Sequence, residues 1–278
     1  MQEVFERFGI QAQDSIYPYA PVFRGDGVVV KRTHGAEGMG RWTRRLAASG
    51  FPVVTPVRGP ERIGDNDWVA YPWIDGRPYE VGDVAAAGDL LGRMHAESSA
   101  DLEPFKWPDH DEASIQEDID GLVKVLGTAG RLEPMLRNFM TTTLPVIRDA
   151  DLPRTDVSMD FKAVNLVFTP DGPVLIDPDN GEHVPRLLDL ALAVLLFHND
   201  LETEPAKVFT AEEWAAFRDA YLARVELTAV ERELWPVALD YMLMEWGVWS
   251  IVNGEWHIPR HAAFYTDLFH ADLARFAL

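Results

Sequence analysis

Short apolar runs alternate with turn residues up to about residue 80 of this chain. From Val84 onward the hydrophobic positions recur with a helical period. In the first part, Val22-Phe23-Arg24, Gly25-Asp26-Gly27 and Val28-Val29-Val30-Lys31 predict a hairpin closed by a Gly-containing turn. Residues 38–49 read as a helix, with Trp42, Leu46 and Ala47 on one side and Arg41, Arg44 and Arg45 on the other; Gly50 ends it. Val53, Val54 and Val57 read as a strand. Asn66-Asp67 turns into an apolar strand at 68–71, and Pro72-Trp73-Ile74-Asp75-Gly76 then leaves the sheet. In the second part helices are expected at 85–95, 115–126, 132–150, 187–197, 211–225, 228–253 and 259–276. A Pro- and acid-rich loop is expected at 101–111 and a strand-rich segment at 157–177. The order predicts an α+β fold in two lobes: a β-rich lobe at 1–71, a linker at 72–80, and an α-helical lobe at 81–278 with one inserted hairpin.

Composition narrows the function classes. The hydrophobic fraction of 47% can fill a substantial core. The net charge of −20 leaves no basic surface for nucleic acid, so nucleic-acid binding is excluded. It suits either a plain acidic protein or an acidic cleft that attracts a cationic substrate. No apolar run reaches the roughly 18 residues of a membrane span. The stretch 187–197 is the most apolar and contains Asp189. There are no cysteines, and MQEVFERFGI lacks the pattern of a secretion signal, so a cytoplasmic location is expected.

The chemistry gathers at 160–179. Asp160-Phe161-Lys162-Ala163-Val164-Asn165 makes one tight loop, and Leu175-Ile176-Asp177-Pro178-Asp179 follows a short hairpin. Phosphoryl transfer from Mg-ATP needs a carboxylate to orient the attacking hydroxyl, oxygen donors for Mg2+, and a cation facing the migrating phosphate. Asp160 fits the first role, Asn165 and Asp177 the second, and Lys162 the third. Lys162 also reads as an exposed loop lysine, and Asp179 as either a second metal carboxylate or a turn residue. His95 and His198 read as core or cap histidines, and Met242, Met244, Trp246 and Trp249 as core packing, with a minority of these four as candidates to line an acceptor pocket.

Four blocks, in order, resemble the aminoglycoside phosphotransferase family, which shares the bilobal protein-kinase-like fold. Val28-Val-Val-Lys31 resembles its ATP-phosphate lysine strand, and Tyr71-Pro-Trp-Ile-Asp-Gly76 its hinge. Leu90-Leu-Gly-Arg-Met-His95 resembles its Leu-Gly-x-Leu-His helix, and 158–191 its catalytic loop, metal-binding Asp and downstream Asp-Leu-Ala. The resemblance implies that Lys31 meets ATP phosphates, that Tyr71, Trp73 and Ile74 meet the base, and that catalytic-loop N–H groups support Asp189. The chain departs from the family in three places. Ser158-Met159-Asp160 stands where the family writes His-Gly-Asp. Ser15-Ile-Tyr-Pro-Tyr-Ala-Pro21 stands where a Gly-rich loop would lie. Glu37 is the sole local carboxylate to pair with Lys31.

The implied activity is an ATP- and Mg2+-dependent phosphotransferase acting on a hydroxyl. The acceptor is either a hydroxyl-bearing small molecule such as an aminoglycoside, which the acidity suits, or Ser/Thr in a peptide. Lys162 suits the peptide, as does a likeness to kinase-like proteins of modified-peptide pathways that work beside a lyase partner. The alternative is a pseudokinase scaffold that binds a partner without catalysis.

Overall fold

Lys31 owes its place to a four-stranded antiparallel sheet. Strands β1 (Val22–Arg24), β2 (Val28–Arg32), β3 (Arg58–Ile63) and β4 (Asn66–Pro72) lie in the order β1-β2-β4-β3. The computed structural model describes residues 1–17, 20–97, 99–199 and 205–278. Alternation along β2 and β4 puts Phe23, Val30, Trp68 and Ala70 into one cluster on one face of the sheet. Lys31, opposite Val69, points to the other. Helix α1 (Gln2–Phe8) covers the first face with Val4 and Phe8. No helix was expected there, because two turns carry too little periodicity to read. Helix α2 (Ala36–Ala48) packs beside the second face, burying Met39, Trp42 and Leu46.

One expected strand is corrected. Val53 makes only an isolated bridge to Leu175, and the strand proper is the polar Arg58–Ile63. It is an edge strand, exposed at alternate positions, with a register shift between Arg58 and Glu61 where Gly59-Pro60 interrupts pairing. Edge strands tolerate proline and charge, so hydrophobicity does not reveal them.

The helical lobe holds α3 (Val84–Ala96), α4 (Glu112–Leu126), α5 (Leu132–Asn138), α6 (Leu144–Arg148), α7 (Arg186–Leu196), α8 (Ala211–Leu222), α9 (Ala229–Met242), α10 (Val248–Asn253) and α11 (Pro259–His270). π-helical turns at Phe139–Thr143 and Leu243–Gly247 break the segments expected as single helices at 132–150 and 228–253. Among the described residues, no helix is long and apolar enough to cross a membrane.

The Leu-Gly-Arg-Met-His block acquires a structural meaning here. Gly88 and Gly92 sit on one face of α3, and their missing side chains admit the backbone of α8 at Phe217 and Tyr221. His95, one turn on, bridges Tyr221 Oη and Asp189 Oδ2 at 3.0 Å each. The donor to Asp189 is therefore His95 and not the catalytic-loop N–H groups that the resemblance implied. A fully buried carboxylate needs such a partner. His198 is also buried, against Tyr79 Oη at 3.2 Å. Met242 and Met244 are core, as expected, but Trp249 is 59% exposed, on the outer side of α10 beyond the π turn.

Candidate active site

Two small sheets bring the chemical residues together. Strand β5 (Arg154–Val157) pairs with β8 (Glu182–Pro185), and β6 (Leu166–Thr169) pairs with β7 (Gly172–Leu175). The loop from β5 to β6 carries Asp160 to Asn165, and the turn from β7 to β8 carries Asp177 to Gly181. The two are joined by Ile176 N–H donating to Asn165 O at 2.9 Å. The hinge is clamped to the same hairpin. Arg77 and Phe168 exchange backbone hydrogen bonds at 3.0 and 2.9 Å, and a Cβ on Gly76 would lie 2.7 Å from Phe168 O.

The result is a cleft of about 680 Å³ lined by Lys31, Tyr71, Trp73, Ile74, Asp160, Asn165, Asp177 and Asp179 among others. Asn165 Nδ2 donates to Asp160 O at 2.8 Å and Asp160 Oδ2 at 3.0 Å, and Lys162 Nζ lies 2.7 Å from Asp160 Oδ1. The Asp160 carboxylate is thus gripped from both sides. Lys162 is bound to that carboxylate and does not line the cleft itself. Lys31, 5% exposed, reaches Asp177 at 2.5 Å and Asp179 at 2.9 Å. Burial would lower its pKa, but the charges of Asp177 and Asp179 outweigh burial and raise it. Burial pushes Asp179 up to about 6 against the pull of Lys31. Burial also raises the Tyr71 phenol, with Asp179 adding to the effect.

Glu37 stands apart. It is exposed on the first turn of α2, is not a partner of Lys31, and lines a second cleft of about 640 Å³. That cleft adjoins the first at His34, Asp179 and Asn180, and holds Glu103, Glu182, Lys106 and Trp246. The sequence reading missed Asp156. It is fully buried, accepts from Asp101 and Leu102 N–H groups and meets His183 at 3.0 Å, bracing the β5–β8 floor. Its only sequence signal was a carboxylate at an inward position of a strand.

The residues suit a hard cation. Asn165 spends its amide nitrogen on Asp160, which directs its oxygen elsewhere, and Asp177 is 39% exposed toward the cleft. Among the described residues no three His, Cys, Asp or Glu side chains form a cage. A Mg2+-type ion would therefore complete its shell with phosphate oxygens and water.

Two features stand where the family pattern is broken. Ser158 Oγ accepts from Asp160 N–H at 3.3 Å, a local brace in place of histidine. Met159 takes φ 49°, where the family writes glycine, and is 1% exposed. A left-handed L-residue costs about 1–2 kcal/mol. Met159→Ala should destabilise by about 2–5 kcal/mol through the lost side chain. Met159→Gly should cost up to about 1 kcal/mol less than the alanine, because it releases the strained backbone. Urea denaturation of both variants checks this; the opposite order would mean that the side chain alone matters. Over the cleft, Ser15 Oγ accepts from Val22 N–H at 3.0 Å and donates to Ala20 O at 2.7 Å, and Ile16, Tyr17 and Ala20 form part of the cover. Pro18 and Tyr19 of this segment lie outside the described residues.

The phosphotransferase enzyme family model matches residues 22–237. A search of curated protein sequences finds no match. Among solved structures, an aminoglycoside phosphotransferase from Alicyclobacillus acidocaldarius shares 19% identity over 99% of this chain and 95% of its own, with a TM-score of 0.58. An amicoumacin kinase solved with AMP-PNP, Ca2+ and Ami shares 16% over 97% and 93%, with a TM-score of 0.66. A microcompartment-associated aminopropanol kinase shares 14% over 92% and 89%, with a TM-score of 0.65. The sheet lobe, the helical lobe and the cleft between them are those of a kinase-like fold, and with the family model spanning most of its length this chain belongs to the phosphotransferase enzyme family.

Proposed function

We propose that this ATP-dependent phosphotransferase carries the γ-phosphate of Mg-ATP to the hydroxyl of a small cationic amino alcohol. The observation that supports it is a single cleft holding Lys31, Asp160, Asn165 and Asp177, opening beside a second cleft rich in carboxylates.

Each residue then has a task. Val29, Leu166, Ile74 and Ile176 make apolar walls for a purine. Pro72 has no N–H, and that of Trp73 donates to Gly27 O at 2.9 Å, so the Ile74 N–H is the first hinge donor for a base edge. Lys31 meets phosphate oxygens. The divalent ion, held by Asn165 and Asp177, supplies charge neutralisation at the phosphates. Asp160, fixed by Asn165 and Lys162, orients the acceptor hydroxyl and receives its proton, and Lys162 holds that carboxylate from outside the cleft wall.

The second cleft favours a cation. Arg45, Arg62 and Lys31 pair with its Asp101, Asp67 and Asp179. Glu37, Glu103 and Glu182 are not tied to an arginine among the described residues, and the Trp246 ring stands beside them. Carboxylates with an aromatic face recognise ammonium groups. The solved relatives are named for aminoglycosides, amicoumacin and aminopropanol, which supports an amine-bearing acceptor here.

The test is incubation with Mg-ATP and four panels: aminoglycosides, small amino alcohols, neutral polyols and a Ser/Thr-rich peptide. A mass gain of one phosphate should appear in an amine-bearing small-molecule panel. Transfer to the peptide alone, or to neutral polyols alone, would overturn the reading. Nucleotide binding without transfer to any acceptor would point to the scaffold alternative.

A further inference from the structure

The kinase-like reading asks what holds the phosphate-binding lysine, since the one acid of α2, Glu37, is exposed on its first turn. Burial makes the question sharp: an ammonium as buried as Lys31 must have an anionic partner, or it forfeits several kcal/mol. Glu37 does not serve, being exposed and facing the second cleft. The two carboxylates at Lys31 both come from the turn after β7: Asp177 and, two residues on, Asp179.

The turn is built to deliver Asp179. Gly181 N–H donates to Pro178 O at 3.1 Å and closes it. Asp179 N–H reaches Asp177 Oδ1 at 3.4 Å. A Cβ on Gly181 would lie 2.8 Å from Met39 Cε and 3.0 Å from Val157 O, so the turn sits directly against the buried side of α2. Helix α2 therefore touches the turn through an apolar residue, Met39, where an ion pair might have stood.

We infer that Asp179 is the positioning residue for Lys31, a role moved from helix α2 to the turn beside the metal-binding carboxylate. Asp177 is the carboxylate that the cation claims. Once it is engaged, Asp179 remains to hold the ammonium toward the phosphates. Tyr71, whose ring centroid is 5.1 Å from Lys31 Nζ, limits the lysine from the sheet side. This rests on the proposed reading of the cleft, but its test needs no acceptor.

The experiment is titration of Asp179→Asn, Asp179→Glu and Glu37→Gln with Mg-AMP-PNP by calorimetry, with intrinsic tryptophan fluorescence as a second probe. Asp179→Asn should weaken nucleotide binding roughly 10–100-fold at saturating Mg2+, the range for losing one charged hydrogen bond. Asp179→Glu should restore part of it, and Glu37→Gln should change little. In a Lys31→Met background, Asp179→Asn should add no further loss, which a general folding defect would not reproduce. Three outcomes would overturn the inference: unchanged affinity in Asp179→Asn, a loss in Glu37→Gln instead, or a raised Mg2+ requirement with normal affinity at saturating Mg2+, which would make Asp179 a metal ligand. If the wild type bound no nucleotide at all, the reading of the cleft would fail first.

Discussion

Asp160→Asn should lower kcat by about 10²–10⁴-fold, the range for removing a positioned proton acceptor, while Mg-nucleotide affinity stays near wild type. The substitution preserves shape. It removes the negative charge that Lys162 Nζ approaches at 2.7 Å and leaves one oxygen where Lys162 and, at 3.0 Å, Asn165 Nδ2 now share two. Lys31 and Asp177, proposed for the nucleotide side, are untouched. Steady-state kinetics with a working acceptor, beside calorimetry with Mg-AMP-PNP, separate the two effects. A kcat within a few-fold of wild type would remove Asp160 from the reaction.

Gly88→Ala should be a strongly damaging single-methyl change in the helical lobe. The added Cβ would lie 2.2 Å from Phe217 O and 2.9 Å from its Cα and carbonyl carbon, so the backbone of α8 has to move. Overpacking typically costs 1–3 kcal/mol, and a clash against backbone belongs at the upper end, so a loss of about 3 kcal/mol is expected. For a chain of this size that is a fall in Tm of roughly 6–12 °C. Moving α8 also strains the bond between His95 and Tyr221, which joins α3, α7 and α8. Gly82→Ala, with nothing within 4 Å of the new carbon, is the control and should stay within about 0.5 kcal/mol. Equal melting of both variants would show that the α3–α8 seam can relax.

What could be read from sequence was whatever short-range spacing encodes. The hairpin through Gly25-Asp26-Gly27 formed where expected, because alternation and turn residues are local signals. The spacing of Asp160, Asn165 and Asp177 did place them in one cleft, since only a tight loop and a short hairpin lie between them. Partnerships between distant segments were not legible. Asp189 meets His95 across 94 positions, and Lys31 meets Asp179 across the lobes, so neither bond leaves a trace in local pattern. Strand β3 was hidden by its own polarity, and the two π turns by helical periods that continue on either side.

The turn between β7 and β8 carries one more consequence. Only Pro178, Asp179, Asn180 and Gly181 separate Asp177, the proposed metal carboxylate, from a strand already paired into the helical lobe. A tether that short limits how far Asp177 can move away from the β5–β8 floor. The catalytic groups are held assembled by the fold itself.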